Sequence, residues 1–269
     1  MNFKPIILTL GLLCLIKHQS LAQVYGYEAF SSCGSFCNSN NYFAALNNPS
    51  EMLNSNTTLS YSISNPYGVR ELYSSGLNLQ TSSKQIAMGM TWQNQGNAGY
   101  QQNTIGLCTA LKPIKEIKTG LRGKIEYLNL YKYGKRKYAN IDASISAQVH
   151  SKIKSSFIVQ NIFNLPSSQF EGSTQNQIVQ WGIGYSIEKR IQLIFEFEKS
   201  SLSAIKFKSA ISFRKDSSFN LNICSSNAGK QLGLGIGLKK QKTELGFAFT
   251  AHILLGFSTC ISIAYEIKS

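Results

Sequence analysis

The chain has 269 residues, of which 15% are charged, and 27 basic against 13 acidic side chains give a formal net charge of +14. Such an excess ordinarily points to phosphate-rich partners. An export signal at the N-terminus removes nucleic acid from that set and leaves lipid phosphates, lipopolysaccharide and acidic secreted proteins.

The signal is expected over residues 1–22. Lys4 supplies the positive start, Ile6 to Ile16 a short apolar stretch, and Ser20-Leu21-Ala22 the small residues at a cleavage position. That apolar stretch is shorter than the roughly 20 residues a spanning helix requires. No Pro/Gly/Ser-rich linker divides the remainder of the chain, so one large domain is expected. Beyond the signal lie Cys33, Cys37, Cys108, Cys224 and Cys260. An odd number excludes a complete disulfide framework. Cys33 and Cys37 can pair with each other in an oxidising periplasm, and the other three read as small packing residues. With only His150 and His252 in the same region, no metal site has ligands at the right spacing, and no cofactor fingerprint occurs.

Residues 23–55 form a distinct segment, a plug or a periplasmic element. Tyr42, Phe43 and Leu46 give it an apolar anchor, and Asn48-Pro49 marks a turn or helix start at which proline is tolerated.

From residue 56 to 269 the dominant period is two. Phe257, Thr259, Ile261, Ile263, Tyr265 and Ile267 alternate with Ser258, Cys260, Ser262, Ala264 and Glu266; Leu232, Leu234, Ile236 and Leu238 oppose three glycines. Cutting at turn signals gives about fourteen segments, starting near residues 57, 72, 84, 101, 117, 137, 152, 177, 190, 203, 218, 231, 243 and 256. Most have the 9 to 11 residues that cross a bilayer at a tilt. The expected fold is therefore an all-β, antiparallel transmembrane barrel of the Gram-negative outer membrane. Tyr61, Trp92, Tyr127, Trp181 and Tyr265 are expected near strand ends as interfacial aromatics. A soluble sandwich would show the same alternation with its apolar face turned inward.

The connections alternate too. Ser64–Gly68, Asn94–Tyr100, Asn164–Asn176 and Ser225–Lys230 are uncharged or long, as extracellular loops are. Ser82–Lys84, Lys112–Lys118, His150–Lys152, Glu188–Arg190 and Lys239–Lys242 are tight and mostly basic, as expected of periplasmic turns. Tyr131–Tyr138 is extracellular by count yet basic.

On the polar face, a hairpin centred near Leu202 sets Glu196 opposite Lys208 and Glu198 opposite Lys206. Arg122, Lys124 and Glu126 line the strand beside Asp142. These eight charges are expected to line the lumen, as ion pairs or as a selective constriction. Catalysis has no support, since His150 and His252 fall at opposite ends of the strands and no nucleophile has a base within reach.

The run Ala44-Ala45-Leu46-Asn47-Asn48-Pro49, followed by about fourteen strands, resembles the PorV/PorQ group of outer-membrane barrels. That group serves type IX protein secretion and is distantly related in architecture to the FadL fatty-acid channels. Its Asn-Pro-Ala-Gly-Leu element falls on Asn48-Pro49-Ser50-Glu51-Met52, where the Asn-Pro pair is retained. The resemblance implies a non-enzymatic role in secretion or cell-surface assembly, with secretion-system or secreted proteins as partners. The alternative expectation is a plugged, FadL-like channel for hydrophobic or small solutes.

Overall fold

The structure is a computed structural model that describes residues 25–32, 42–54, 56–97, 99–132, 134–166, 176–201, 203–216, 218–227 and 231–268. The expected signal at 1–22 and the Cys33/Cys37 pair lie outside these residues.

Fourteen antiparallel strands close into one barrel, each bonded to its neighbours in sequence, with β1 bonded to β14. They are β1 Thr57–Asn65, β2 Ser74–Ser82, β3 Ile86–Gly96, β4 Tyr100–Ile114, β5 Ile117–Leu130, β6 Gly134–His150 and β7 Ile153–Pro166. The second half comprises β8 Ile178–Glu188, β9 Ile191–Ser200, β10 Lys206–Lys215, β11 Phe219–Ser226, β12 Gln231–Lys240, β13 Thr243–His252 and β14 Gly256–Lys268. Closure is required by the surroundings. No water satisfies a sheet edge inside a bilayer, so every backbone group must pair within the sheet.

The two faces are inverted relative to a soluble protein. Along β1, Leu59, Tyr61 and Ile63 are exposed, whereas Thr58, Ser60, Ser62 and Ser64 are buried. The same holds on β14, where Ile261, Ile263 and Tyr265 face outward and Ser258, Cys260, Ser262 and Ala264 inward. A soluble sandwich is thereby excluded, because its apolar faces would meet each other. The five anticipated interfacial aromatics all point outward, but Tyr61 sits at the middle of β1 and Trp92 beside the middle of β3 rather than near a strand end.

The short turns share one end of the barrel with the start of β1 and the end of β14, and the longer connections lie at the other. By the rule for outer-membrane barrels the first end is periplasmic and the second extracellular. With a cysteine introduced singly into a cysteine-free background, a membrane-impermeant maleimide is expected to label Asn97→Cys on intact cells. Gln241→Cys should react only after the outer membrane is opened; the reverse pattern would invert this topology.

Strand lengths depart from a uniform 9 to 11 residues. β4 to β7 run 15, 14, 17 and 14 residues. The basic stretch expected as a loop at Tyr131–Tyr138 is therefore mostly strand. β6 begins at Gly134, and Lys135, Arg136 and Lys137 pair with Asn129, Leu128 and Tyr127. One register break stands out in the wall. Ile141 pairs with Phe163 and Ala143 with Val159, so a bulge of β7 faces Asp142. Asn161 in that bulge has a φ of 58° and donates its N–H to Asp142 Oδ1 at 2.8 Å. Asparagine tolerates this left-handed conformation better than most residues.

Candidate functional site: the barrel lumen and the segment inside it

The described parts of the N-terminal segment, residues 25–32 and 42–54, lie within the ring of inward-facing side chains. Its elements are α1 Tyr27–Ser31, α2 Ala44–Asn47 and a 3-10 helix at Pro49–Asn54. Asn48 is extended between the last two, so Asn48-Pro49 forms the joint at which the chain leaves α2 and starts a new turn. Proline needs no hydrogen-bond donor at that position. α1 packs against β11 to β14, and the later helices against β2 to β6. The two halves are stitched by a reciprocal pair, Tyr25 N–H to Asn47 Oδ1 at 3.1 Å and Asn47 Nδ2 to Tyr25 O at 2.8 Å. Tyr25, Phe43 and Leu46 make an apolar cluster within the segment.

Contacts with the wall combine apolar packing, of Ala44, Ala45 and Met52 on Ala87, Cys108 and Ala110 and of Tyr27 on Ala248 and Cys260, with a set of polar bonds. Tyr27 donates its hydroxyl to Glu244 at 2.8 Å, and Asn220 Nδ2 donates to Glu28 at 2.8 Å. Asn78 Nδ2 and Ser60 Oγ both donate to Tyr42 O, at 2.7 and 2.8 Å. Ser50 N–H donates to Ser144 Oγ at 3.0 Å, and Lys154 pairs with Glu51 at 2.7 Å. Lys239, on β12, reaches both Tyr42 Oη at 2.9 Å and Glu266 at 2.5 Å. Burial pushes the Glu28 carboxyl up to about 8, with the Glu244 carboxylate adding to the rise. Beside it, a cavity of about 80 Å³ is lined by Glu28, Tyr42, Arg214, Asn220, Lys239 and Glu244.

Glycines make the close approach geometrically feasible. At Gly237 and Gly246 a Cβ would overlap the Tyr27 ring, and at Gly120 it would overlap the backbone at Pro49-Ser50. Gly246→Ala combined with Gly237→Ala is therefore expected to push α1 off the wall and raise ion conductance across a bilayer. Gly123→Ala, whose added Cβ meets nothing within 4 Å, is the control and should behave as wild type.

The eight lumen charges form two clusters. In the first, Arg122 donates from Nε to Asp142 Oδ2 at 2.7 Å, and Lys124 lies 3.3 Å from Asp142 and 3.5 Å from Glu126. Arg122 also reaches the segment, donating from Nη1 to Ala45 O at 3.1 Å and to Leu46 O. In the second, Lys208 binds Glu196 at 3.0 Å and Glu198 at 2.8 Å, while Lys206 binds Glu198 at 2.9 Å. Gln180 donates to Glu198 at 2.9 Å. Each cluster holds two cations and two anions, so each is neutral.

His150 closes β6 at the periplasmic end, and His252 closes β13 at the extracellular end, edge-on to Tyr67. Cys108 and Cys260 are buried free thiols. Cys224 packs as expected, buried with Ile158, Ile194 and Ala210, and is in addition disulfide-bonded. The partners of the segment on the wall, Glu244, Asn220, Lys154 and the two glycines, do not stand out as contacts in the sequence. Glycines recurring on an inward strand face are the one available signal.

No protein-family model and no curated protein sequence matches the chain. Solved structures do. A CymD monoaromatic hydrocarbon channel superposes with a TM-score of 0.66 at 11% identity, covering 93% of this chain and 99% of that one. The Pseudomonas putida toluene transporter TodX gives 0.63 at 8% identity, covering 91% and 98%, and a Pseudomonas aeruginosa FadL homologue gives 0.61 at 10% identity, covering 91% and 99%. With its closed fourteen-stranded sheet and its outward apolar band, the chain is a β-barrel of the bacterial outer membrane, of the fold shared by these channels.

Proposed function

We propose that this protein is an outer-membrane channel for small uncharged solutes, closed at rest by residues 23–55. The observation that carries the reading is the seating of that segment across the lumen, bonded to both halves of the wall. A barrel of fourteen strands is wider than the eight-stranded type that side chains alone can fill. The lining narrows the solute class. The inward face is rich in Ser, Thr, Asn and Gln, its charges are mostly paired, and its larger aliphatic side chains include Ile158, Ile178 and Ile194, which supports a small polar solute over an ion or a hydrocarbon. The hydrocarbon cargo named for CymD and TodX is a property of those proteins. The secretion role implied by Asn48-Pro49 draws no support from the structural likenesses, which favour the channel reading.

Proteoliposome swelling tests this. Protein lacking residues 23–55 should admit arabinose and other small neutral sugars quickly, with the intact protein much slower. It should show little preference between anionic and cationic solutes of equal size. An assembled barrel that remains impermeable without the segment would end the channel reading.

A further inference from the structure

The β5–β6 hairpin carries a feature that a solute channel does not use. On its outward face Leu121, Ile125, Ile141 and Ile145 are exposed and apolar, the side chains that meet lipid. Directly above them toward the extracellular end the character changes. Tyr127 pairs across the strands with Lys137, whose ammonium sits 5.3 Å from the ring centroid, and Asn129 pairs with Lys135. At the tip Lys132 lies 5.6 Å from the ring of Tyr131, which is 66% exposed. Tyr127, Lys135 and Lys137 thus share one outward stripe immediately outside the apolar band, with exposed Tyr131 and Lys132 at its tip.

Among the described residues, none of Lys132, Lys135 or Lys137 forms an ion pair. The neighbouring carboxylates, Glu126 and Asp142, are buried on the opposite face of the same sheet. Three cations within a few residues, with no ion-pair partner among the described residues, repel one another, and the repulsion is relieved when an anion binds among them. Strand rise of about 3.3 Å per residue spaces Lys135 and Lys137 roughly 7 Å apart, a separation that two phosphate groups can bridge. The tyrosines add amphipathic rings at the level where acyl chains give way to headgroups.

We infer that this stripe is a docking site for a phosphorylated glycolipid of the outer leaflet, its acyl chains lying on Ile125 and Ile141 and its phosphates among Lys132, Lys135 and Lys137. The site faces away from the lumen and stands independently of the solute reading. It gives the extended, basic hairpin a role: fixing the depth and rotation of the barrel in the outer leaflet.

The test uses full-length protein in detergent and native mass spectrometry with added diphosphoryl lipid A. Wild type is expected to retain the lipid, and the Lys132→Ser/Lys135→Ser/Lys137→Ser variant to bind it at least about tenfold more weakly, with heat-modifiable gel mobility showing that both barrels are assembled. Dephosphorylated lipid A should bind wild type no better than it binds the variant. Equal retention by both proteins, or equal binding of the dephosphorylated lipid by wild type, overturns the inference. Displacement of the lipid by millimolar inorganic phosphate overturns its lipid component, and saturable binding of soluble heparin without lipid retention would assign the stripe to a soluble acidic partner instead.

Discussion

Deletion of residues 23–55 raises single-channel conductance at least about tenfold while the barrel still assembles, because among the described residues nothing else of comparable volume crosses a lumen of this width. Assembly should survive because the fourteen-strand ladder, including the β1–β14 closure, contains no backbone pairing to the segment. The wall groups left behind, among them Asn78, Gln80, Ser144 and Ser262, become hydrated once the segment is gone, so their desolvation cost is not incurred. Planar-bilayer recording, with heat-modifiable migration as the folding control, decides the matter. Unchanged conductance from a folded deletion protein would reassign residues 23–55 to a periplasmic binding role.

The second large effect is expected at Arg122. Its guanidinium bridges the wall carboxylate Asp142 and the carbonyls of Ala45 and Leu46, and both partners on the wall are almost wholly buried. Arg122→Ala removes one side of a buried pair and leaves Asp142 with the Lys124 ammonium and the Asn161 N–H, a loss of about 3–5 kcal/mol by the behaviour of such pairs. Urea unfolding in lipid or detergent measures it. Arg122→Ala combined with Asp142→Asn should recover most of the stability, since the amide carries no charge yet still accepts the Asn161 N–H. Conductance should not recover, because the carbonyls of Ala45 and Leu46 remain without their donor. That split separates the contribution to the wall from the contribution to closure.

The barrel is legible in the sequence because lipid on one side and a polar lumen on the other impose a period of two on every strand. The expected strand starts fall within three residues of the observed ones, from Thr57 through Gly256. Lys135 to Lys137 read as loop because lysine is depleted in strands, whereas the hairpin that holds them outgrows the membrane. Register across a tight hairpin is also local information, and Glu196 lies opposite Lys208 as the turn near Leu202 dictates. The seating of the segment is not local. Tyr27 meets Gly237, Gly246 and Glu244 only because the sheet curls round to bring them there, and no spacing in the chain encodes that. The disulfide of Cys224 is hidden for the same reason.

The reach of the segment to both sides of the β1–β14 seam has a bearing on how the molecule comes together. Its earliest described residues bond to its latest strands: Tyr27 N–H to Ser262 Oγ joins positions 235 residues apart, and Tyr42 Oη to Glu266 positions 224 apart. Contacts of such sequence separation carry a large loop-closure cost and form only after nearer ones have defined the frame. The portion synthesised first therefore settles last, when β14 arrives beside β1. It then acts as a clasp laid across a joint that β1 and β14 have already closed by their own pairing, so that filling of the interior follows ring closure.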